Sequence, residues 1–225
     1  MYFIYDYGIL IITLLITLGA QALVSGSYSK YKKVKNKNNI TGAEAARMIL
    51  SKNGLDEIYV VETNGNLTDH YDPKRKTIRL SKDIYNGTSI ASIAVASHEC
   101  GHALQDKDNY TFLKIRSSLV PLVNFSSAAG YIAILIGIIF SAMQLFWIGI
   151  IFEAVILLFQ LITLPVEFNA SKRALEKIQE YSIADSSEVS GAKKMLTAAA
   201  FTYVASVLTA LLEILRLVLI ARDRD

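Results

Sequence analysis

Residues 119–166 read LVPLVNFSSAAGYIAILIGIIFSAMQLFWIGIIFEAVILLFQLITLPV, a run of 48 positions holding one charge, Glu153. A bilayer core needs about 20 residues of helix, so the run predicts two spanning helices. We place them near Leu119–Ala142 and Gln144–Pro165. The turn between them falls near Met143–Trp147, where Phe146 and Trp147 suit an interfacial belt. Glu153 is costly in lipid and should face another helix or a wet cavity. The fold class follows: an α-helical membrane protein.

Working outward, Gly8–Val24 is a second uncharged run, GILIITLLITLGAQALV. Its Ala20-Gln21-Ala22 has the form of a cleavage site, but the residues before it carry no Lys or Arg, unlike a signal peptide. Five lysines follow between Lys30 and Lys37. By the positive-inside rule that segment stays cytoplasmic, so residues 1–25 read as an uncleaved anchor with its N-terminus outside. A third block, Met195–Ile220, is apolar up to Glu213 and Arg216, which share one helix face at i, i+3. It either spans or packs as an amphipathic arm, giving three to four transmembrane helices. Of the 225 residues 52% are apolar, with 3 Pro and 1 Cys, which excludes disordered, collagenous and disulfide-stapled classes. The net charge of +3 gives no reason to expect nucleic acid.

Residues 26–118 have the composition of a small soluble domain. Thr41-Gly-Ala-Glu44 is a capping box opening a helix over Gly42–Asn53, closed by Gly54. Glu57–Thr63 reads as a strand. The stretch from Leu67 reads as a loop or hairpin turning at Asp72-Pro73 and ending in a strand at Thr77-Ile78-Arg79-Leu80. A helix begins at Ser89. Residues 167–194 form a further helical segment before the last apolar block, 195–225.

The chemistry lies in His98-Glu99-Cys100-Gly101-His102, which uses two of the three histidines in the chain. At i and i+4 on a helix both imidazoles reach one ion. Zn²⁺ takes neutral imidazole and prefers four ligands. Glu99 would reach a water beside the metal and act as general base and then acid in peptide hydrolysis. Gly101 leaves room for a strand or second helix to approach. A catalytic site wants a third protein ligand and one open position. Gln105 and Asp108 stand where a metzincin extension needs Gly and His, so that class is out. Two candidates remain, His70 and Glu167. Glu167 is preferred, because catalytic zinc sites commonly use two His and a Glu; it would sit in the first turn of a helix broken at Pro165. Cys100 reads as a buried filler.

HECGH, the later EFNASKRAL, the preceding LTDHYDP and TIRLSKDIYNGTSIA together resemble the bacterial YugP-like neutral zinc metallopeptidase family over nearly the whole chain. More remotely the chain resembles the HtpX-type membrane gluzincins. The resemblance implies a small α+β zincin-like metalloprotease domain and Glu167 as third ligand. It also implies Thr77–Leu80 as an edge strand that binds extended peptide by main-chain pairing. The remote relatives carry an Asp four residues after the ligand Glu, orienting a zinc-bound His. Here that position is Ser171. Asn169, Ser171 or an acid from elsewhere must then support the ligands. His70 is left to donate to the oxyanion or to make a structural hydrogen bond. Arg173 could do the same, or pair with Glu176.

The expected protein is a membrane-anchored zinc metalloendopeptidase with one Zn²⁺ per chain. It would be multi-pass in the bacterial inner membrane, its site on the cytoplasmic side. Its partners would be the lipid bilayer and peptide or membrane-protein substrates, with the oligomeric state left open. The alternative is a non-enzymatic scaffold or quality-control adaptor that holds zinc behind four protein ligands.

Overall fold

The computed structural model describes residues 2–224. Ten elements follow in order: α1 (Tyr2–Lys32), α2 (Gly42–Lys52), β1 (Tyr59–Thr63), β2 (His70–Asp72), β3 (Thr77–Ser81), α3 (Lys82–Tyr85), α4 (Ile90–Lys107), α5 (Thr111–Ile139), α6 (Met143–Glu180) and α7 (Ser186–Arg224). They divide into two compact units. One comprises residues 1–21, 114–165 and 201–225; the other comprises 22–113 and 166–200. The long helices α1, α5, α6 and α7 therefore each contribute to both units.

Four helices, α1, α5, α6 and α7, are long and apolar enough to cross a membrane. In the first unit α5 and α6 form the hairpin. The buried residues of α5 are Ser126, Gly130, Ala133 and Gly137, one small-residue stripe at helical spacing. A side chain at Gly130 would come within 2.9 Å of Phe152, and one at Gly137 within 2.8 Å of Phe146. The stripe thus lets the two helices close on each other. The turn lies at 140–142, earlier than the sequence reading put it, with Ser141 at φ +53°. Phe146 falls in the first turn of α6 and is fully buried against Leu217 and Ala221, not in an interfacial belt. Packing between helices outweighs the aromatic preference there. Pro165 does not break the chain either: α6 runs through it. A spanning helix tolerates proline where neighbouring groups satisfy the freed carbonyl. Glu213 and Arg216 pair along α7 at 2.9 Å. Glu153, half-buried on α6, lies within electrostatic reach of Glu213.

The second unit is a small α+β domain with α4 at its centre. Its core joins Ile49 and Leu50 of α2, Ile78 and Leu80 of β3, Ile84 of α3, Ile93 of α4 and Ile178 of α6. The capping box forms as read: Glu44 N–H donates to Thr41 Oγ1 at 3.1 Å, and Thr41 N–H donates to Glu44 Oε2 at 2.8 Å. Ser89 caps α4 by accepting from Ser92 N–H. Its last turn closes on Asp108.

The sheet order is β1-β3-β2, with β1 parallel and β2 antiparallel to β3. This corrects one expectation. Thr77, Ile78, Arg79 and Leu80 lie in the middle strand, not at an edge. Ile78 pairs with both Val60 and Tyr71. The reason shows in the burial: Thr77, Ile78, Leu80 and Ser81 are all buried, as a strand covered on both faces must be. The margins of the sheet are β1 and the three-residue β2, which carries His70.

Candidate metal centre

The centre begins with the length and face of α4. Ser89 fixes its start, and His98 and His102 then project from one side about two and three turns further on. Gly101 lies between them on the side facing α6. A Cβ there would stand 2.3 Å from the carbonyl oxygen of Ala170. Glycine at 101 therefore permits backbone-to-backbone approach of α6, so of the strand or second helix expected there it is a helix that comes in. That approach carries Glu167, three residues before Ala170, against the histidine pair.

The three side chains converge. Glu167 Oε2 is 3.3 Å from His98 Nε2 and 3.6 Å from His102 Nε2. His98, His102 and Glu167 form the one metal-capable His/Cys/Asp/Glu group among the described residues. Donors at about 2.0–2.1 Å from one Zn²⁺ in a tetrahedron lie about 3.3–3.4 Å apart. The two Glu167 separations lie at and slightly above that edge length, and all three donors lie within 4.8 Å of one another, so the donor set fits zinc. Electrostatics agree. Glu167 is 3% exposed and Glu99 is 7% exposed, so two carboxylates are held in a dry place. Burial works to lower the pKa of His102, but the Glu167 hydrogen bond and the charges of Glu167 and Glu99 outweigh it and raise the pKa. The pocket favours positive charge.

The other ring nitrogens are held from behind. Ser171 Oγ lies 3.1 Å from His98 Nδ1, so the serine at the departing position does contact a histidine. Gln105 Oε1 lies 3.0 Å from His102 Nδ1. The amide nitrogen of Gln105 donates to the carbonyl of Val166 at 2.7 Å and to Asn169 Oδ1 at 3.0 Å. Arg173 Nε donates to the same Asn169 oxygen at 2.8 Å, and its guanidinium also pairs with Asp108. Arg173 is thus committed to Asn169 and Asp108, not to Glu176, which lies by Lys172 instead. Gln105 was missed as a site residue. Its signal was available: it stands three residues after His102, on the same helix face.

His70 is exposed on β2 and lies outside the three-residue group. Its Nδ1 faces the carbonyl of Thr68 at 2.8 Å. A carbonyl only accepts, so Nδ1 carries the proton and the neutral ring offers Nε2 as an acceptor. Its neighbour Tyr71 donates to Asp106 Oδ2 at 2.9 Å, tying β2 to the last turns of α4. Burial and that bond raise the pKa of Tyr71. Cys100 is fully buried, and burial pushes its thiol pKa up, away from the thiolate a metal ligand needs.

Residues 7–222 match a family profile described as "Putative neutral zinc metallopeptidase". The chain is 47% identical over 201 residues to the "Putative membrane protease YugP" of Bacillus subtilis strain 168, covering 89% of each chain. No solved structure matches it. The profile takes in both helices that bring the three donors together, and the chain belongs to the neutral zinc metallopeptidase family.

Proposed function

We propose that the protein is a membrane-integral zinc endopeptidase of the gluzincin type, holding one zinc on His98, His102 and Glu167. The observation that carries this is the three-donor group with ligand-to-ligand separations of 3.3 and 3.6 Å. Bound zinc would supply Lewis acidity toward a water and a peptide carbonyl. Glu99, adjacent to His98 and mostly buried, takes a proton from the attacking water and returns it to the leaving amine. Three donors with no fourth among the described residues leave a position open, which favours catalysis over a closed structural site.

Peptide pairing belongs to the margin of the sheet that α4 and Tyr71 hold, namely β2, and not to β3. His70 on that strand stabilises an oxyanion only as the imidazolium, because its neutral Nε2 is an acceptor. The five lysines from Lys30 to Lys37, at and just beyond the end of α1, support a cytoplasmic site. The α5–α6 hairpin crosses twice and returns the chain to the side it left. Residues 22–113 and 166–200 can therefore meet in one domain. Substrates are peptides or membrane proteins presented on that face.

The test compares wild type with Glu99→Gln in detergent, reading zinc per chain by elemental analysis and cleavage of a labelled casein. Expected is about one zinc per chain in both and a loss of cleavage of about 10²–10⁴-fold in the variant. Undiminished cleavage by Glu99→Gln overturns the mechanism. Absence of zinc from wild type overturns the site.

A further inference from the structure

We propose that Gln105 is a positioning residue whose single side-chain amide sets both the tautomer of His102 and the seat of the helix that delivers Glu167. The inference rests on the zinc reading of the site. Gln105 is fully buried, and a buried amide must place its donors and acceptor correctly or lose stability. Here the orientation is forced. The carbonyl of Val166 can only accept, and it lies 2.7 Å from one end of the amide, so that end is the NH₂. Asn169 Oδ1 takes a second hydrogen from it at 3.0 Å. The identity of Asn169's own oxygen is fixed in turn by Arg173, which has only donors to offer.

The carbonyl end of Gln105 therefore faces His102 Nδ1, at 3.0 Å. An acceptor there requires Nδ1 to carry the proton. The lone pair is left on Nε2, the atom that faces Glu167 at 3.6 Å. An isolated neutral imidazole has no such constraint. Val166 is the residue immediately before Glu167, so the same amide grips the backbone of α6 beside the third donor. One side chain thus prepares a ligand on α4 and positions a ligand on α6. The bond network ends at Asp108, beyond the last turn of α4, through Asn169 and Arg173. Those two residues hold Gln105 and touch neither histidine in the bonds described.

Two measurements on the full chain in detergent test this. The first is read on the wild type. The chain has three histidines, so ¹⁵N-histidine labelling gives a simple imidazole spectrum. His70→Asn and His98→Asn assign it. In metal-free protein at alkaline pH the His102 ring is expected in the Nδ1–H form. An Nε2–H form overturns the proposal, whether or not zinc binds. The second reads zinc affinity by competition with a chromophoric chelator. Gln105→Met, similar in size but without an acceptor, is expected to weaken binding about 10–100-fold. Asn169→Ala removes one hydrogen bond of Gln105 but leaves those to His102 and Val166 in place, and is expected to stay within a few-fold of wild type. Wild-type affinity in Gln105→Met overturns the proposal. A wild type that binds no zinc overturns the site reading, and the tautomer measurement still decides Gln105.

Discussion

At the residue scale, His98 and His102 are held by unlike partners. Ser171 offers a hydroxyl to His98, and Gln105 offers an amide oxygen to His102. A hydroxyl can turn to donate or accept, whereas the amide is locked by its other bonds. Ser171→Ala is therefore expected to weaken zinc binding by less than Gln105→Met, about 3–10-fold, below the usual span for outer-shell partners; chelator competition checks this. The raised pKa of His102 sets the pH behaviour. A proton and a metal compete for the same nitrogen, and the surrounding carboxylates favour both. With the folded pKa above the ordinary imidazole value, zinc affinity should fall as the pH is lowered from about 8 to about 6. Flat affinity across that range would contradict the assigned environment.

Between elements, the decisive contact is α4 against α6 at Gly101. A methyl group there must displace the Ala170 carbonyl, which is backbone and cannot rotate aside. Gly101→Ala is expected to cost about 1–3 kcal/mol, as overpacking does, and to release zinc by moving Glu167. Thermal unfolding and elemental analysis read the two effects separately. Removing the cap of α2 should cost stability without touching the metal: Thr41→Ala is expected to lose about 1 kcal/mol and to keep its zinc. Tyr71→Phe frees one of the two ties on Asp106, the other being Lys76 at 3.1 Å. If β2 holds substrate, this variant should raise KM several-fold with kcat nearly unchanged.

For the whole molecule, the prediction concerns sidedness. Lys74 lies in the β2–β3 turn and Ser141 in the α5–α6 turn; the proposed topology puts the first inside the cell and the second outside. In a Cys100→Ala background, Ser141→Cys should react with an impermeant maleimide on intact cells, and Lys74→Cys only after permeabilisation. The opposite pattern would put the site outside the cell.

The amino-acid sequence by itself determined what depends on local chemistry and on runs of like residues. Uncharged stretches near 20 residues have few alternatives to a spanning helix, so the α5–α6 hairpin was readable, and the last apolar block, left open between a span and a packed arm, lies in a helix long and apolar enough to cross. The capping box and the i, i+4 histidines are properties of a single helix and needed no neighbours. The tertiary structure alone decided three things. It made Thr77–Leu80 a central strand, because strand order depends on which chain segments come to lie alongside and not on the strand's own residues. It ran α6 through Pro165, because the neighbourhood of a proline settles whether a helix survives it. And it brought Gln105 to both His102 and the carbonyl before Glu167, a meeting of residues 61 positions apart that no spacing rule contains.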